Sequence, residues 1–242
     1  MTSMSASPRH IGIVGCSAEG AALCYRTICL EGTLVLGPHQ HPQVSMHTHA
    51  LGEYLPYIER GDWESVAELM HSSAMKLVAA GAEFLICPDN TIHAALPLVA
   101  PRSPLPWLHI AQVIAAEATR RGLRRLGLTG TRFLLESGVY PEALSACGVS
   151  WVLPEPPERV EINRIIFDEL VNAICTSEAV SYFQSVIERM RQRGADAVIL
   201  GCTEIPLLMN DSNSPLPTLD STRLLARAAL RHALEPAAIS AR

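Results

Sequence analysis

The sequence predicts an α/β fold built as two similar halves, each a parallel sheet covered by helices. Three observations carry that prediction. Short apolar runs alternate with helix-period segments along most of the chain, the pattern of strands buried on both faces and joined by crossover helices. Several of the helical segments stop at a glycine. Three pairs of segments also recur in the same order at nearly constant spacing. RHIGIVG (9–15) matches RRLGLTG (124–130), an offset of 124 − 9 = 115. GAEFLICPDNTI (81–92) matches GADAVILGCTEI (194–205), offset 194 − 81 = 113, and LPWLHI (105–110) matches LPTLDS (216–221), offset 216 − 105 = 111.

Taken in order, IGIVG (11–15) reads as a buried strand with a helix after it. WESVAELMHSSAMKLVAAG (63–81) has apolar residues at 66, 69, 70, 74, 77 and 78, one helix face, and ends at Gly81. EFLIC (83–87) is a strand, and AQVIAAEATRRG (111–122) a helix ending at Gly122. RLGLTG (125–130) is a strand, INRIIFDELVNAI (162–174) a helix, AVSYFQSVIERMRQRG (179–194) a helix with a glycine stop, and DAVILG (196–201) a strand. The last helix, TRLLARAALRHAL (222–234), is expected to return to the first half, and helix 111–122 to begin the second. The domain reading is therefore 1–110 plus 222–242 for one half and 111–221 for the other.

Composition narrows the function. With 48% hydrophobic and 18% charged residues, the 242-residue chain has ample material for a core. A net charge of −5 without a basic tract argues against nucleic acid or an anionic membrane surface as a partner. The seven cysteines form no CxxC pair and no even framework, which fits a reducing cytoplasm. The start, MTSMSASPRH, is polar, is expected to fray, and lacks the basic and apolar regions of a signal peptide. No apolar run has the length of a membrane span.

The repeat selects the candidate chemistry. Eight residues past Gly81 stands Asp89, and eight past Gly194 stands Cys202. Both lie just beyond a buried strand, where α/β sheets place their ligand sites. Two halves facing each other across a cleft would bring Asp89 and Cys202 to opposite sides of one ligand. That suits a reaction needing a proton donor or acceptor on each face of a carbon.

At these residues the chain resembles the aspartate/glutamate racemase superfamily. GCTEI (201–205) resembles its second catalytic motif, and GAEFLICPDNTIH its first, which usually ends Cys-Asn-Thr-Ala-His. IGIVGCSAEGAALCYR resembles its opening strand and glycine loop, and GTRFLLESGVY (130–140) its Gly-Thr segment with a downstream tyrosine. ERVEINRIIFDEL (158–170) resembles a helix of glutamate-preferring, broad-specificity members. The resemblance implies two Rossmann-like halves related by a pseudo-two-fold axis, with the active site in the cleft between them. It implies an amino acid racemase or epimerase that uses no cofactor and no metal. In it, two cysteines flank the α-carbon, and the substrate carboxylate is held by backbone N–H groups and hydroxyls. A homodimer acting on a small carboxylate or amino acid is expected.

The sequence departs from that pattern at the first catalytic position, where Asp89 replaces cysteine. Asn90, Thr91 and His93 match the rest of the first motif, and Cys202, Thr203 and Glu204 match the second. The expected pair is then a carboxylate and a thiol. Asp89 is a weak base at its ordinary pKa, and burial would strengthen it. Its competing reading is a helix cap bonded to nearby N–H groups. Cys87, two residues earlier, would serve only if a bulge brought it forward; otherwise it is a buried strand thiol. A single-cysteine decarboxylase or isomerase, and a binding protein without turnover, are the alternatives.

Other residues complete the expected site. Ser17, in the glycine loop, and Thr131, in the equivalent loop, are expected to hold a carboxylate. Arg132 either pairs with it or lies on the surface. Within HQHPQVSMHTH, His47 and His49 share one strand face and read as a pocket wall, with zinc the competing use. Family members that take aspartate often carry a basic clamp near here, yet no arginine or lysine occurs between Arg26 and Arg60. Glu204 and His93 are expected to contact substrate or orient a catalytic group.

Overall fold

The computed structural model describes residues 7–235; residues 1–6 of the polar start, and residues 236–242, lie outside the described residues. The elements run β1 (Ile11–Gly15), α1 (Ala18–Leu36), β2 (Val44–Thr48), α2 (Leu51–Arg60), α3 (Trp63–Ala79), β3 (Phe84–Ile86), α4 (Leu96–Val99), β4 (Trp107–Leu108) and α5 (Ile110–Arg121). They continue β5 (Arg125–Thr129), α6 (Arg132–Leu135), α7 (Val139–Ala146), β6 (Ser150–Val152), α8 (Pro156–Arg164), α9 (Ser177–Gln192), β7 (Ala197–Leu200), β8 (Thr218–Asp220) and α10 (Ser221–Leu234). All strand pairs are parallel, in two four-stranded sheets of order β2-β1-β3-β4 and β6-β5-β7-β8.

The repeat is written into the register. In the first sheet Ile13 pairs with Ile86 and Ile86 with Leu108. In the second, Leu128 pairs with Ile199 and Ile199 with Leu219. The shifts are 128 − 13 = 115, 199 − 86 = 113 and 219 − 108 = 111, the three offsets of the sequence repeat. Gly81 and Gly194, which turn the chain into β3 and β7, have φ of 89° and 88°, a left-handed conformation natural only to glycine.

Alternation along the strands splits each half's core in two. Ile11, Ile13, Phe84 and Ile86 pack with Leu225, Ala226 and Ala229 of α10, while Leu85 and Cys87 pack on the opposite side with Ala67, Met70 and Ala74 of α3. Each fully buried Ile or Leu contributes about 1.5–3 kcal/mol. Helix α10 meets the first half, where Arg9 N donates to Ala233 O at 2.8 Å and Arg227 pairs with Glu31 at 2.8 Å, and its Leu224 joins the second-half cluster. Helix α5 has a foot in both cores. Ile110 joins the first-half cluster, and Ile114 and Ala118 join Leu126, Leu128 and Ile199 of the second. No helix among the described residues is long and apolar enough to cross a membrane.

The segment expected as one helix over 162–174 divides. Pro156 and Pro157 start α8 early, with the Glu158 carboxylate accepting from Glu155 N at 2.7 Å. After Arg164 the turn widens into a π-helical stretch, Ile165–Glu169, then tightens to a 3₁₀ turn, Leu170–Asn172, and ends at Ala173 with φ 57°. Such wide turns shift the phase of a helix face and recur at functional sites. Here the shift leaves Ile165 and Leu170 in the core and brings Phe167 and Val171 to the cleft.

Candidate active site

The loops leaving the carboxyl ends of β1, β3, β5 and β7 meet between the two sheets, where open α/β sheets bind ligands. Cys16, Ser17, Asp89, Asn90 and Thr91 of the first half face Thr131, Gly201, Cys202, Thr203 and Glu204 of the second, around a cavity of about 60 Å³.

Asp89 enters this cleft as a fixed carboxylate. Its Oδ2 accepts from Cys16 N at 2.8 Å and its Oδ1 from Ser17 N at 3.0 Å. It thus bonds the loop before α1, across the sheet, and not the short helix next to it in sequence. Ser17 caps α1, its hydroxyl accepting from Gly20 N at 3.2 Å. The helix N-terminus that would bind an anion therefore already holds one. Burial raises the Asp89 carboxyl, the bonds from Ser17 and Cys16 pull it back, and the nearby Glu204 raises it again; it sits at about 6. Cys87 is out of reach of the cleft: it is fully buried on the α3 side, with Sγ 3.7 Å from Asp89 O.

Cys202 has the opposite poise. Its Sγ donates to Glu204 Oε2 at 3.0 Å, and Thr203 Oγ1 donates to the same oxygen at 2.6 Å. Burial first, and the Glu204 carboxylate second, hold the Cys202 thiol well above its ordinary range, so at neutral pH it is protonated.

Hydroxyl pairs tie the two walls together. Ser17 Oγ bonds Thr203 Oγ1 at 3.0 Å, and Thr91 Oγ1 bonds Thr131 Oγ1 at 3.0 Å. Thr131 also caps α6 through Leu134 N. Ser17 stands between the two: its N–H holds the Asp89 carboxylate, while its hydroxyl meets Thr203, which donates to the Glu204 oxygen that Cys202 also contacts. Gly20 permits the approach: a Cβ there would lie 2.3 Å from Thr203 Cγ2.

The remaining expected residues divide. Asn90 lines the cleft, but its carboxamide is engaged at both ends, accepting from Tyr140 OH at 2.6 Å and donating to Ser221 Oγ at 3.0 Å. It clamps the halves together. His93 is buried and does not line the cleft; its Nε2–H donates to Cys87 O at 2.9 Å, and burial pushes its pKa down to about 3. It is a neutral ring that fixes the backbone two residues before Asp89. His49 lines an adjoining groove, with Nε2 3.2 Å from Ser72 Oγ. His47 is absent from the cleft lining, because Ser73 and Lys76 take its two ring nitrogens at 2.9 Å each. Arg132 also lies elsewhere: its guanidinium stacks over Phe133, 4.7 Å from the ring centroid, beside a separate groove.

Sequence patterns alone missed Cys16, whose N–H holds Asp89, and Tyr140 and Ser221, which hold Asn90. They also missed the apolar wall, with Leu51, Leu55 and Ile58 from α2 and Ile166, Phe167 and Val171 from the π stretch and the turn after it. Cys16 stands just past a buried strand, the same signal that picked Asp89.

Residues 11–229 match the family described as Asp/Glu/Hydantoin racemase. The chain belongs to that family. It is accordingly an isomerase of a racemase family that works without pyridoxal phosphate. It is 24% identical over 166 residues to the broad specificity amino-acid racemase RacX of Bacillus subtilis, covering 69% of this chain and 71% of that one. It is 29% identical over 183 residues to the glutamate racemase of Thermus thermophilus, covering 74% of this chain but only 63% of that enzyme's length. Among solved structures, a candidate Asp/Glu racemase from Yersinia pestis superposes with a TM-score of 0.85 at 30% identity, over 94% of this chain and all of the other. An aspartate racemase homologue from Pyrococcus horikoshii gives 0.80 at 26% identity, over 94% of this chain and 100% of that one. Within this racemase-family fold the cleft lies between the two sheets, and its first wall carries a carboxylate.

Proposed function

We propose that this protein racemises or epimerises an amino acid at its α-carbon, with Asp89 exchanging the proton on one face and Cys202 on the other. One observation carries the reading. Two proton carriers from equivalent positions of the two sheets line one cleft, one ionised and one protonated near neutral pH. An Asp89 carboxylate held near 6 by burial is a stronger base than a free one. The Cys202 thiol is then the donor on the opposite face. For the reverse direction the two exchange roles. The Ser17, Thr91, Thr131 and Thr203 hydroxyls suit an enolate that develops on the substrate carboxylate, provided substrate breaks their mutual bonds. Glu204 acts on Cys202, which it contacts, and supplies the carboxylate that can relay its proton.

A malonate, the substrate of a single-thiol decarboxylase, fits less well. Its two carboxylates would both have to sit between Asp89 and Glu204. The test is proton NMR in D₂O at pH 8 with each enantiomer of a panel of amino acids separately. The proposal expects solvent deuterium at Cα. No exchange from any amino acid or hydroxy acid overturns it.

A further inference from the structure

We infer that the amino acid accepted here carries an uncharged, apolar side chain. The inference rests on the proposed α-proton chemistry only for where the α-carbon sits; the walls of the cleft are what a side chain would meet. Helix α2 turns Leu51, Leu55 and Ile58 to the cleft at helical spacing, and the π-helical stretch and the 3₁₀ turn after it bring Ile166, Phe167 and Val171. Two apolar surfaces from opposite halves thus flank the polar floor that carries Asp89 and Cys202.

Nothing cationic balances them. No lysine, arginine or histidine among the described residues lines the cleft. The cations nearest in sequence to its walls are committed elsewhere. Arg60, two residues past Ile58, lies over Tyr57 and 3.8 Å from Asp62, Arg132 lies over Phe133, and Arg164 pairs with Glu161 and Glu169, while the His49 ring lies in the adjoining groove. The ionisable groups that do line the cleft, besides its two thiols, are Asp89 and Glu204, both carboxylates and both buried. They favour the substrate's α-ammonium group. A second, side-chain carboxylate would be desolvated between apolar walls without a counter-ion and would meet like charge. A branched aliphatic or aromatic side chain instead removes apolar surface from water on both sides.

The test is equilibrium binding to the full chain, followed by α-proton exchange, with leucine, phenylalanine, aspartate, glutamate and lysine. Leucine or phenylalanine is expected to saturate at a concentration at least about 100-fold below aspartate and glutamate. Val171→Arg supplies a cation at a position that is 40% exposed and so tolerates a long side chain. It should move the preference toward glutamate by about tenfold or more, and Leu55→Arg is the second variant if the first does not fold. Aspartate, glutamate or lysine binding as tightly as leucine and phenylalanine overturns the inference. Leucine binding without exchange supports the inference and overturns the proton-transfer reading. Glutamate binding with exchange does the reverse, and binding of none of the five overturns both.

Discussion

After β3, the Asp89 carboxylate takes two backbone N–H bonds from the neighbouring strand's loop and settles at about 6. After β7, at the equivalent position, the Cys202 thiol is bonded to a carboxylate of its own loop and is driven above its ordinary range. The scaffold is the same on both sides, down to the strand register. The difference lies in what each loop offers: donors beside Asp89, an acceptor beside Cys202. A duplicated frame can therefore place two ionisable groups symmetrically and still give them opposite resting states. Near neutral pH the first wall holds a carboxylate and the second a protonated thiol, the base and the acid of the proposed reaction.

The largest effect should come from removing either carrier. Asp89→Asn and Cys202→Ala are each expected to cut racemisation by about 10³-fold or more, followed by circular dichroism of the amino acid. Loss in only one of them would break the two-wall account.

Stability sharpens the contrast next. The folded state holds the Asp89 carboxyl above its unfolded value, so between about pH 4 and 6 the folded chain binds the extra proton, and stability falls as pH rises through that window. The gap to about 6 corresponds to roughly 3 kcal/mol. Asp89→Asn removes the charge but turns an NH2 donor toward one of the two N–H groups that the carboxylate accepts, which costs about 1–3 kcal/mol at every pH; its effect at pH 8 should still be more favourable than its effect at pH 4 by up to about 3 kcal/mol. Urea melts at the two pH values measure it. Equal effects at both would mean that burial of the Asp89 charge is not the cause.

Activity gives the third comparison. Asp89 must be ionised to accept a proton, so kcat/KM in the direction it initiates should fall about tenfold per pH unit below about 6 and level off above. The smallest effect belongs to the second wall. Glu204→Gln removes the charge that raises the thiol, so alkylation of Cys202, followed by peptide mass spectrometry, should reach its half-maximal rate at lower pH. An unchanged profile would mean that burial alone sets the thiol.

Much of the frame was legible because parallel strands buried on both faces read as apolar runs, and because Gly81, Gly122 and Gly194 end helices in a conformation other residues avoid. The offsets that equate Asp89 with Cys202 were readable for the same reason. The partners of Asp89 were not. Cys16 and Ser17 stand 73 and 72 residues away and reach it only because β1 and β3 are neighbours in the sheet. The side to which Arg132 turns depends on the phase of a four-residue helix, and the cleft position of Phe167 on one widened turn; neither leaves a periodic signal. Asn90 was legible as a site residue but not as a clamp, since Tyr140 and Ser221 come from distant segments.

The most direct test is α-proton exchange in D₂O from each enantiomer separately, in the wild type, Asp89→Asn and Cys202→Ser. With one carrier on each face, the wild type exchanges both enantiomers. Asp89→Asn retains exchange from one only, and Cys202→Ser from the other only. Exchange from both enantiomers in Asp89→Asn, or loss of the same enantiomer in both variants, would contradict the assignment of Asp89 and Cys202 to opposite faces.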